Sequence, residues 1–419
     1  MTVAPVEGVG SLVNLVIGAV AHGGHCVARL DGRVVFVRHA LPGERVRARL
    51  TEATDGARFW RADAVEVLDA SPDRVAPRCG HSGPGGCGGC DFQHVGLVAQ
   101  RRLKAEVVAE QLRRLAGLDV TADEVPVEAV PGDVDGLGWR TRVRLTVDEA
   151  GRAGLRAHRS HTVVPLADCP IAEPTLCLPE VLARSWPAGA DVLVTGGGGA
   201  APTVATANPA QAVSGPARRR EKAAGRTWRV TGAGFWQVHP GAAQALVDAV
   251  AEALAPAAGE SLLDLYSGVG LFAGSLAAAL GPSGFAVAVE SDAVAVRDAR
   301  RNLHDLPAVR LVHDRVDRYL SRPESLQQVD LVVLDPPRSG AGKAVCAAIA
   351  SRSPRAVAYV ACDPAALARD IRVFADLGYR LAGLRAFDLF PMTHHVECVA
   401  TLQRSGTHGR MVAEDAAEA

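Results

Sequence analysis

The chain has 419 residues, of which 48% are apolar and 22% charged, and its formal net charge is -1. That length and mixture suit two or three globular domains with sizeable cores, and the near-neutral balance excludes nucleic-acid binding by bulk positive charge. The longest early apolar run, LVNLVIGAV (12–20), is too short to span a bilayer and has no basic leader or cleavage site, so a cytoplasmic protein without a membrane partner is expected.

Residues 11–70 alternate apolar and polar positions over short segments, with turn signals at HGGH, LDGR and LPGE. The runs NLVIGAV, CVARL, RVVFVRHA, RVRARLTEA and ARFWRADAVEVL fit a small five-stranded β-barrel of the OB type, an architecture that commonly binds nucleic acid. The segment GGHCVARLDGRVVFVRHALPGERVRARL resembles a TRAM domain, an RNA-binding barrel attached to RNA-modifying enzymes.

Nine Cys in such a chain argue for metal or catalytic use rather than a disulfide framework. Cys79, Cys87 and Cys90 form C-x7-C-x2-C in the Gly-rich stretch RCGHSGPGGCGGCDF, and Cys169 follows in ADCPIA. Four thiolates suit zinc or an iron–sulfur cluster equally well. Cys26, Cys177, Cys346 and Cys398 read as packed hydrophobes.

Residues 95–117 carry apolar positions at helical spacing, which puts Arg101, Arg102, Lys104, Arg113 and Arg114 on the polar side. Strand-like runs follow at 138–148 and 153–166. The alternation in RTRVRL places Arg140, Arg142 and Arg144 on one face of a strand, where they would track phosphates; Arg156, Arg159 and Arg218 to Arg220 add further basic runs. The Gly-, Ala- and Pro-rich stretch 187–226 reads as the weakly patterned end of a central α+β domain, 71–226, with a loop or linker inside it. Trp139 and Trp236 read as core residues rather than base-stacking platforms.

From 227 to 405 short apolar strands alternate with Ala-rich helical segments, the signature of a doubly wound parallel sheet. The acidic end, 406–419, reads as a disordered tail. In LLDLYSGVGLFAG (262–274), Gly268 and Gly270 allow close approach of a ligand to the backbone, and Glu290 ends the next strand, placed to bind ribose hydroxyls. A dinucleotide site would have a third Gly where Ala273 stands, and the arrangement instead resembles motif I of class I S-adenosyl-L-methionine-dependent methyltransferases. VDLVVLDPPRSG ends a further strand in Asp335-Pro336-Pro337-Arg338.

In YVACDPAALARD the strand stops just after Cys362, because Pro364 removes a backbone donor; the thiol is presented at the ligand-facing end of the sheet. Asp335-Pro336-Pro337 followed by Arg338-Ser339-Gly340 resembles the turn of RNA uracil carbon methyltransferases, and uracil C5 is a weak nucleophile until a thiolate adds to C6, after which a base must take the C5 proton. Glu397, between Val396 and Cys398 in an apolar run, is a carboxylate whose desolvation would suit it to that task.

Taken in order, FWQVHP, DLYSGVG, AVAVE, LDPPRSG, ACDPAALARD and PMTHHVE make residues 11–404 resemble the RNA 5-methyluridine methyltransferase family. The likeness is to the 23S rRNA (uracil-5-)-methyltransferases that carry a TRAM domain and an iron–sulfur cluster. It implies a multidomain α/β enzyme: an OB-like TRAM barrel (11–70), a central RNA-binding domain with a Cys cluster (71–226) and a Rossmann-like methyltransferase domain (227–405). By the same resemblance Cys362 is the nucleophile and Glu397 the C5 proton acceptor. Gln237, Tyr266, Gly268, Gly270, Glu290, Asp314 and Asp335 fall at cofactor positions, with Asp314 suited to the adenine amino group. Cys79, Cys87, Cys90 and Cys169 match the ligands of a 4Fe-4S cluster. The implied cofactors are S-adenosyl-L-methionine and that cluster, and the implied partner is RNA, 23S rRNA above all, met by a monomer. Leu271 and His239 depart from the family pattern and are given no role.

Other readings make different demands. A radical S-adenosylmethionine enzyme needs a C-x3-C-x2-C triplet, which is absent; an amino-group methyltransferase needs neither Cys362 nor Glu397. A tRNA uridine C5-methyltransferase and a non-catalytic RNA-binding protein on the same fold are the alternatives.

Overall fold

The computed structural model describes residues 8–197, 199–207 and 210–405, and the tail expected at 406–419 lies outside them. The N-terminal strands are β1 (Leu12–Val16), β2 (Val20–Ala21), β3 (His25–Leu30), β4 (Arg33–Arg38), β5 (Arg45–Glu52) and β6 (Phe59–Asp69), in the order β1-β5-β6-β4-β3-β2. β2 continues β1 past a bend at Gly18, whose N–H donates to the Val27 carbonyl at 2.7 Å. A Cβ at Gly18 would stand 2.9 Å from that carbonyl oxygen, so the bend requires glycine. The bent strand pairs with β5 on one side and β3 on the other, which closes a barrel. Its inward positions, such as Val46, Ala48 and Leu50 on β5, are fully buried.

Helix α1 (Leu97–Gln111) continues through a wider turn at Leu112–Ala116. One side of it, with Ala99 and Leu103, packs against the barrel, while Ala105, Val108 and Ala109 join the core of the C-terminal sheet. Lys104 departs from the polar face expected for it: it is 1% exposed and ion-paired with Asp388 at 2.5 Å. Its partner lies 284 residues away, so helical spacing could not reveal it.

Next come β7 (Val127–Ala129), β8 (Arg142–Val147), β9 (Ala153–Arg156), β10 (Val163–Pro165), α2 (Leu178–Leu182), β11 (Asp191–Thr195), β12 (Thr203–Ala207) and β13 (Ala210–Ser214). All these strands except β7 form an antiparallel sheet in the order β10-β9-β8-β11-β12-β13, followed by the hairpin of β14 (Arg218–Ala223) and β15 (Arg226–Thr231). Most of the described residues of 187–226 are therefore strand, with a connecting segment between β11 and β12. The Ala, Thr and Gly residues of this stretch give little apolar contrast, which hides the alternation.

The C-terminal domain runs α3 (Ala242–Leu254), β16 (Ser261–Leu265), α4 (Leu271–Leu276), β17 (Phe285–Glu290), α5 (Ala293–Asn302), β18 (Val309–His313), α6 (Val316–Leu320), β19 (Leu331–Leu334), α7 (Gly342–Ala350), β20 (Ala356–Ala361), α8 (Pro364–Asp376), β21 (Tyr379–Asp388) and β22 (Glu397–Arg404). The sheet order is β18-β17-β16-β19-β20-β22-β21-β7. The five strands from β18 to β20 are parallel, as expected, but β22 enters antiparallel between β20 and β21. β7 completes the edge, parallel to β21, although it precedes this domain in the chain. Among the described residues no helix is long and apolar enough to cross a membrane.

Candidate active site

Cys362 and Glu397 are brought together by the antiparallel insertion of β22. Ala361 pairs with Cys398 across β20 and β22, and Cys362 and Glu397 are the chain neighbours of that pair. Thiol and carboxylate face the same space. β20 stops there because α8 begins at once: the Asp363 side chain caps it, accepting the Ala366 N–H at 2.8 Å, and Pro364 occupies its first turn. His22, in the barrel's second turn, reaches the Asp363 carboxylate at 3.2 Å, so the barrel touches the residue next to the thiol.

Both side chains line a cavity of about 740 Å³, of a size that takes a ligand as large as a nucleoside cofactor together with a base. Asp335, at the end of β19, and Arg338 line it too. Burial raises the Glu397 carboxyl well above its usual range, and the charge of Asp335 adds to this while Arg338 opposes it. Burial also raises Asp335. The Cys362 thiol is pushed up to about 11 by burial and by the Glu397 carboxylate, with Arg338 pulling it down. Arg338 hydrogen-bonds His395 Nε2 at 3.2 Å; burial lowers that imidazole to about 3, so it is neutral and accepts.

The opposite wall is built on the turn after β16. Gly268 N donates to Glu290 Oε2 at 2.8 Å, while Ser291 N and Asp292 N both donate to Oε1 at 2.6 Å. Gly268 and Glu290 line the cavity, as does Tyr266, which holds a left-handed backbone at φ 61°. Gly270 lies just behind, at the start of α4 with φ 89°, where a Cβ would stand 2.7 Å from Leu303. Asp264 lies behind the turn, accepts the Ala273 N–H at 2.8 Å, and is pushed up to about 8 by burial. Gln237 lines the cavity from the segment after β15. Thr141 fixes that segment, with its N–H and hydroxyl both bonded to the Val238 carbonyl.

Asp314, like Gly270, is an expected cofactor residue that does not line the cavity. It is buried at the end of β18 and pairs with Arg322 and, at 3.9 Å, with Arg318. Leu271 forms part of the cavity wall, whereas His239 is buried and stacks on Trp139 with ring centres 6.2 Å apart. Trp139 and Trp236 are both buried, and Trp236 also lines the cavity. Phe235 and Phe390 also line the cavity, and Phe235 is 68% exposed. The sequence reading passed over both, since isolated Phe residues carry no pattern.

Cys79, Cys87, Cys90 and Cys169 converge from two distant stretches on one small pocket, with Arg140 beside them. Gly89 N donates to Cys87 Sγ at 3.3 Å and Gln93 Nε2 to Cys90 Sγ at 3.6 Å. Among the described residues no three His, Cys, Asp or Glu side chains stand as ligands of a single ion. Of the other cysteines, Cys26, Cys346 and Cys398 are buried as expected, but Cys177 is exposed.

The basic runs are less available than their spacing suggests. Arg142 is half-buried against Glu221 at 3.2 Å, and Arg144 pairs with Asp191 at 2.6 Å. Arg219 is buried, donating to the Gly197, Ala200 and Ala201 carbonyls. The continuous Arg face expected on RTRVRL is therefore divided among three separate roles, because acidic partners on neighbouring strands claim Arg142 and Arg144.

Comparison with known proteins matches residues 7–65 to the TRAM domain family and residues 222–405 to a family described as tRNA (uracil-5-)-methyltransferase. A relative from Streptomyces avermitilis, described as an uncharacterized RNA methyltransferase, is 49% identical, over 94% of this chain and 98% of its own. One from Bifidobacterium longum with the same description is 41% identical, over 91% and 94%. Among solved structures, the Pyrococcus abyssi tRNA (uracil-54, C5)-methyltransferase in complex with S-adenosyl-L-homocysteine covers 92% of this chain and 99% of its own, with a TM-score of 0.68 at 23% identity. That likeness is one of fold.

Proposed function

The chain belongs to the TRAM-bearing RNA uracil-5-methyltransferase family, and from that premise we propose that it methylates C5 of a uridine in 23S rRNA with S-adenosyl-L-methionine as methyl donor. The observation that supports this reading is that Cys362 and Glu397 line the same cavity as Gly268 and Glu290.

The Cys362 thiolate adds to uracil C6, forming a C6–S bond and moving an electron pair toward C5 and O4. S-adenosyl-L-methionine, held beside Gly268 and Glu290, would supply an electrophilic methyl group for C5, its bond to sulfur breaking as the bond to C5 forms. Glu397 then accepts the C5 proton, and the electron pair left behind restores the C5–C6 double bond and expels the thiolate. Glu290 accepts ribose hydroxyls of the cofactor, and Gly268 leaves room for it beside the backbone. Asp335 and Gln237 hold the reacting groups in register across the cavity. RNA hides its bases in stacks, so one uridine must be flipped out to reach Cys362.

For the second cofactor, Cys79, Cys87, Cys90 and Cys169 would hold a 4Fe-4S cluster. Four thiols line one pocket, and the N–H donors to Cys87 and Cys90 are the kind that stabilise thiolate ligands. This cluster also favours rRNA, since the resemblance ties it to the 23S enzymes. The tRNA reading is kept alive by the family description and by the tRNA substrate of the Pyrococcus abyssi protein.

Mapping 5-methyluridine by mass spectrometry in rRNA and tRNA from a deletion strain decides between them; methylation unchanged at every site overturns both. With RNA carrying 5-fluorouridine, the enzyme should form a covalent adduct that Cys362→Ala abolishes, and Glu397→Gln should be trapped on unmodified RNA. An adduct that persists in the Ala variant refutes the role of Cys362. Purified protein should contain iron and acid-labile sulfide, and Cys90→Ser should lose both.

A further inference from the structure

The turn that delivers Glu397, residues 389–396, runs between β21 and β22, yet it is bonded to residues that lie about three hundred positions earlier in the chain. Gln100 on α1 is fully buried, and its Oε1 accepts the Met392 N–H at 2.8 Å. Its Nε2 donates to the Val95 carbonyl at 2.9 Å and the Phe92 carbonyl at 3.2 Å. The amide is thus used at both ends, and its orientation is dictated by one N–H on one side and two carbonyls on the other. The Met392 carbonyl in turn accepts the N–H groups of Asp91 and Phe92 at 3.0 and 2.9 Å.

Met392 needs such a grip. Its φ is +65°, a left-handed conformation that an unbranched L residue adopts only when its surroundings enforce it. One helical turn after Gln100, on the same face of α1, Lys104 reaches Asp388 and, at 3.1 Å, the Phe390 carbonyl. The two side chains together hold the start and the middle of the turn. Within it, Thr393 bonds back to Phe390 and His395 N to Thr393 Oγ1, and two residues later comes Glu397.

We infer that Gln100 is a positioning residue: by fixing Met392 in its left-handed conformation it sets where the Glu397 carboxylate meets the C5 proton. The inference rests on the reading of Glu397 as proton acceptor. It assigns to the central domain a share in the last step of the reaction and leaves the addition of Cys362, which is fixed by β20 and α8, outside its reach.

The two halves of the reaction can be read separately in the full-length protein. At a 5-fluorinated uridine there is no C5 proton to remove, so the adduct reports thiol addition and methyl transfer alone. For Gln100→Leu the rate of adduct formation on 5-fluorouridine RNA should stay within about twofold of the parent. Turnover on ordinary RNA should fall about tenfold or more, with a covalent enzyme–RNA species accumulating on denaturing gels. Gln100→Glu, which keeps an acceptor for the Met392 N–H, should recover part of the turnover. Equal loss of both rates in Gln100→Leu, or loss of neither, overturns the inference. A parent enzyme that forms no adduct at all overturns instead the mechanism on which it rests. Should Gln100→Leu fail to fold, amide hydrogen exchange of the parent decides: the Met392 N–H should be protected like the strands beside it, and exchange as fast as in exposed loops refutes the clamp.

Discussion

Lys104 and Asp388 form an ion pair at 2.5 Å with both side chains withdrawn from water, joining a helix of the first half of the chain to the last strand pair of the second. Removing one partner strands a charge in the interior. Lys104→Met should therefore lower stability by about 3–5 kcal/mol, and the double variant Lys104→Met/Asp388→Leu should regain most of it. Denaturant titration of the four proteins in the cycle checks this; a double variant as unstable as the sum of the singles would count against it.

The cofactor wall makes a separate prediction. Glu290 is fixed by three backbone N–H donors, and its removal frees the Gly268 turn as well as the ribose contact proposed for it. Hydrogen bonds to a charged group are worth about 1.5–3 kcal/mol, so Glu290→Ala should weaken S-adenosyl-L-methionine binding by about 10–100-fold. Calorimetric titration of the cofactor without RNA gives the answer directly.

Rate against pH follows from the thiol and the carboxylate in the cavity. Cys362 must be a thiolate to add and Glu397 a carboxylate to accept the proton, and burial raises both above their ordinary values. Turnover should rise with pH through neutrality rather than level off where carboxylates usually titrate. Adduct formation on 5-fluorouridine RNA needs no proton acceptor, leaves Cys362 as the group that must ionise, and should keep rising toward about 11. A burst rate that is flat between about pH 6 and about pH 9 would contradict the assignment.

Stability against pH isolates Asp264. Its carboxyl is raised to about 8 in the folded chain by burial, so the protonated form is the one folding favours. The contribution is full below the unfolded value and is lost as pH rises through about 8. Asp264→Asn keeps an acceptor for the Ala273 N–H and removes the titration. Between about pH 5 and about pH 9 its loss of stability should be smaller than the parent's, by on the order of a few kcal/mol. Thermal melts at both values test this.

How far the sequence carried these conclusions depends on how local each cause is. The parallel strands are continuous apolar runs, because both faces are covered by helices, and they are legible for that reason. Cys362 at a strand end and Glu397 in an apolar run were visible for the same local cause. β21 was not, since Arg380, Gly383 and Arg385 interrupt its pattern. The meeting of Cys362 and Glu397 in one cavity depends on β22 entering antiparallel beside β20, which no window of residues encodes. Lys104 and Gln100 look like ordinary solvated helix residues until partners hundreds of positions away are in place. Arg142 and Arg219 mislead in the opposite sense, as basic residues whose charge is already spoken for inside the protein.

The three-residue strand β7 has a consequence for how such a protein can be divided. A fragment cut at residue 222, where the match to the methyltransferase family begins, would lack it and leave β21 with a bare row of amides and carbonyls. Exposed edges of that kind recruit other chains, so the fragment should assemble into aggregates rather than behave as a small enzyme. The unit of inheritance is therefore longer than the family boundary drawn on it. Shuffling of the RNA-binding modules by simple recombination at that point would break the catalytic sheet, which gives a physical reason for relatives to align along nine-tenths of the chain instead of one end of it.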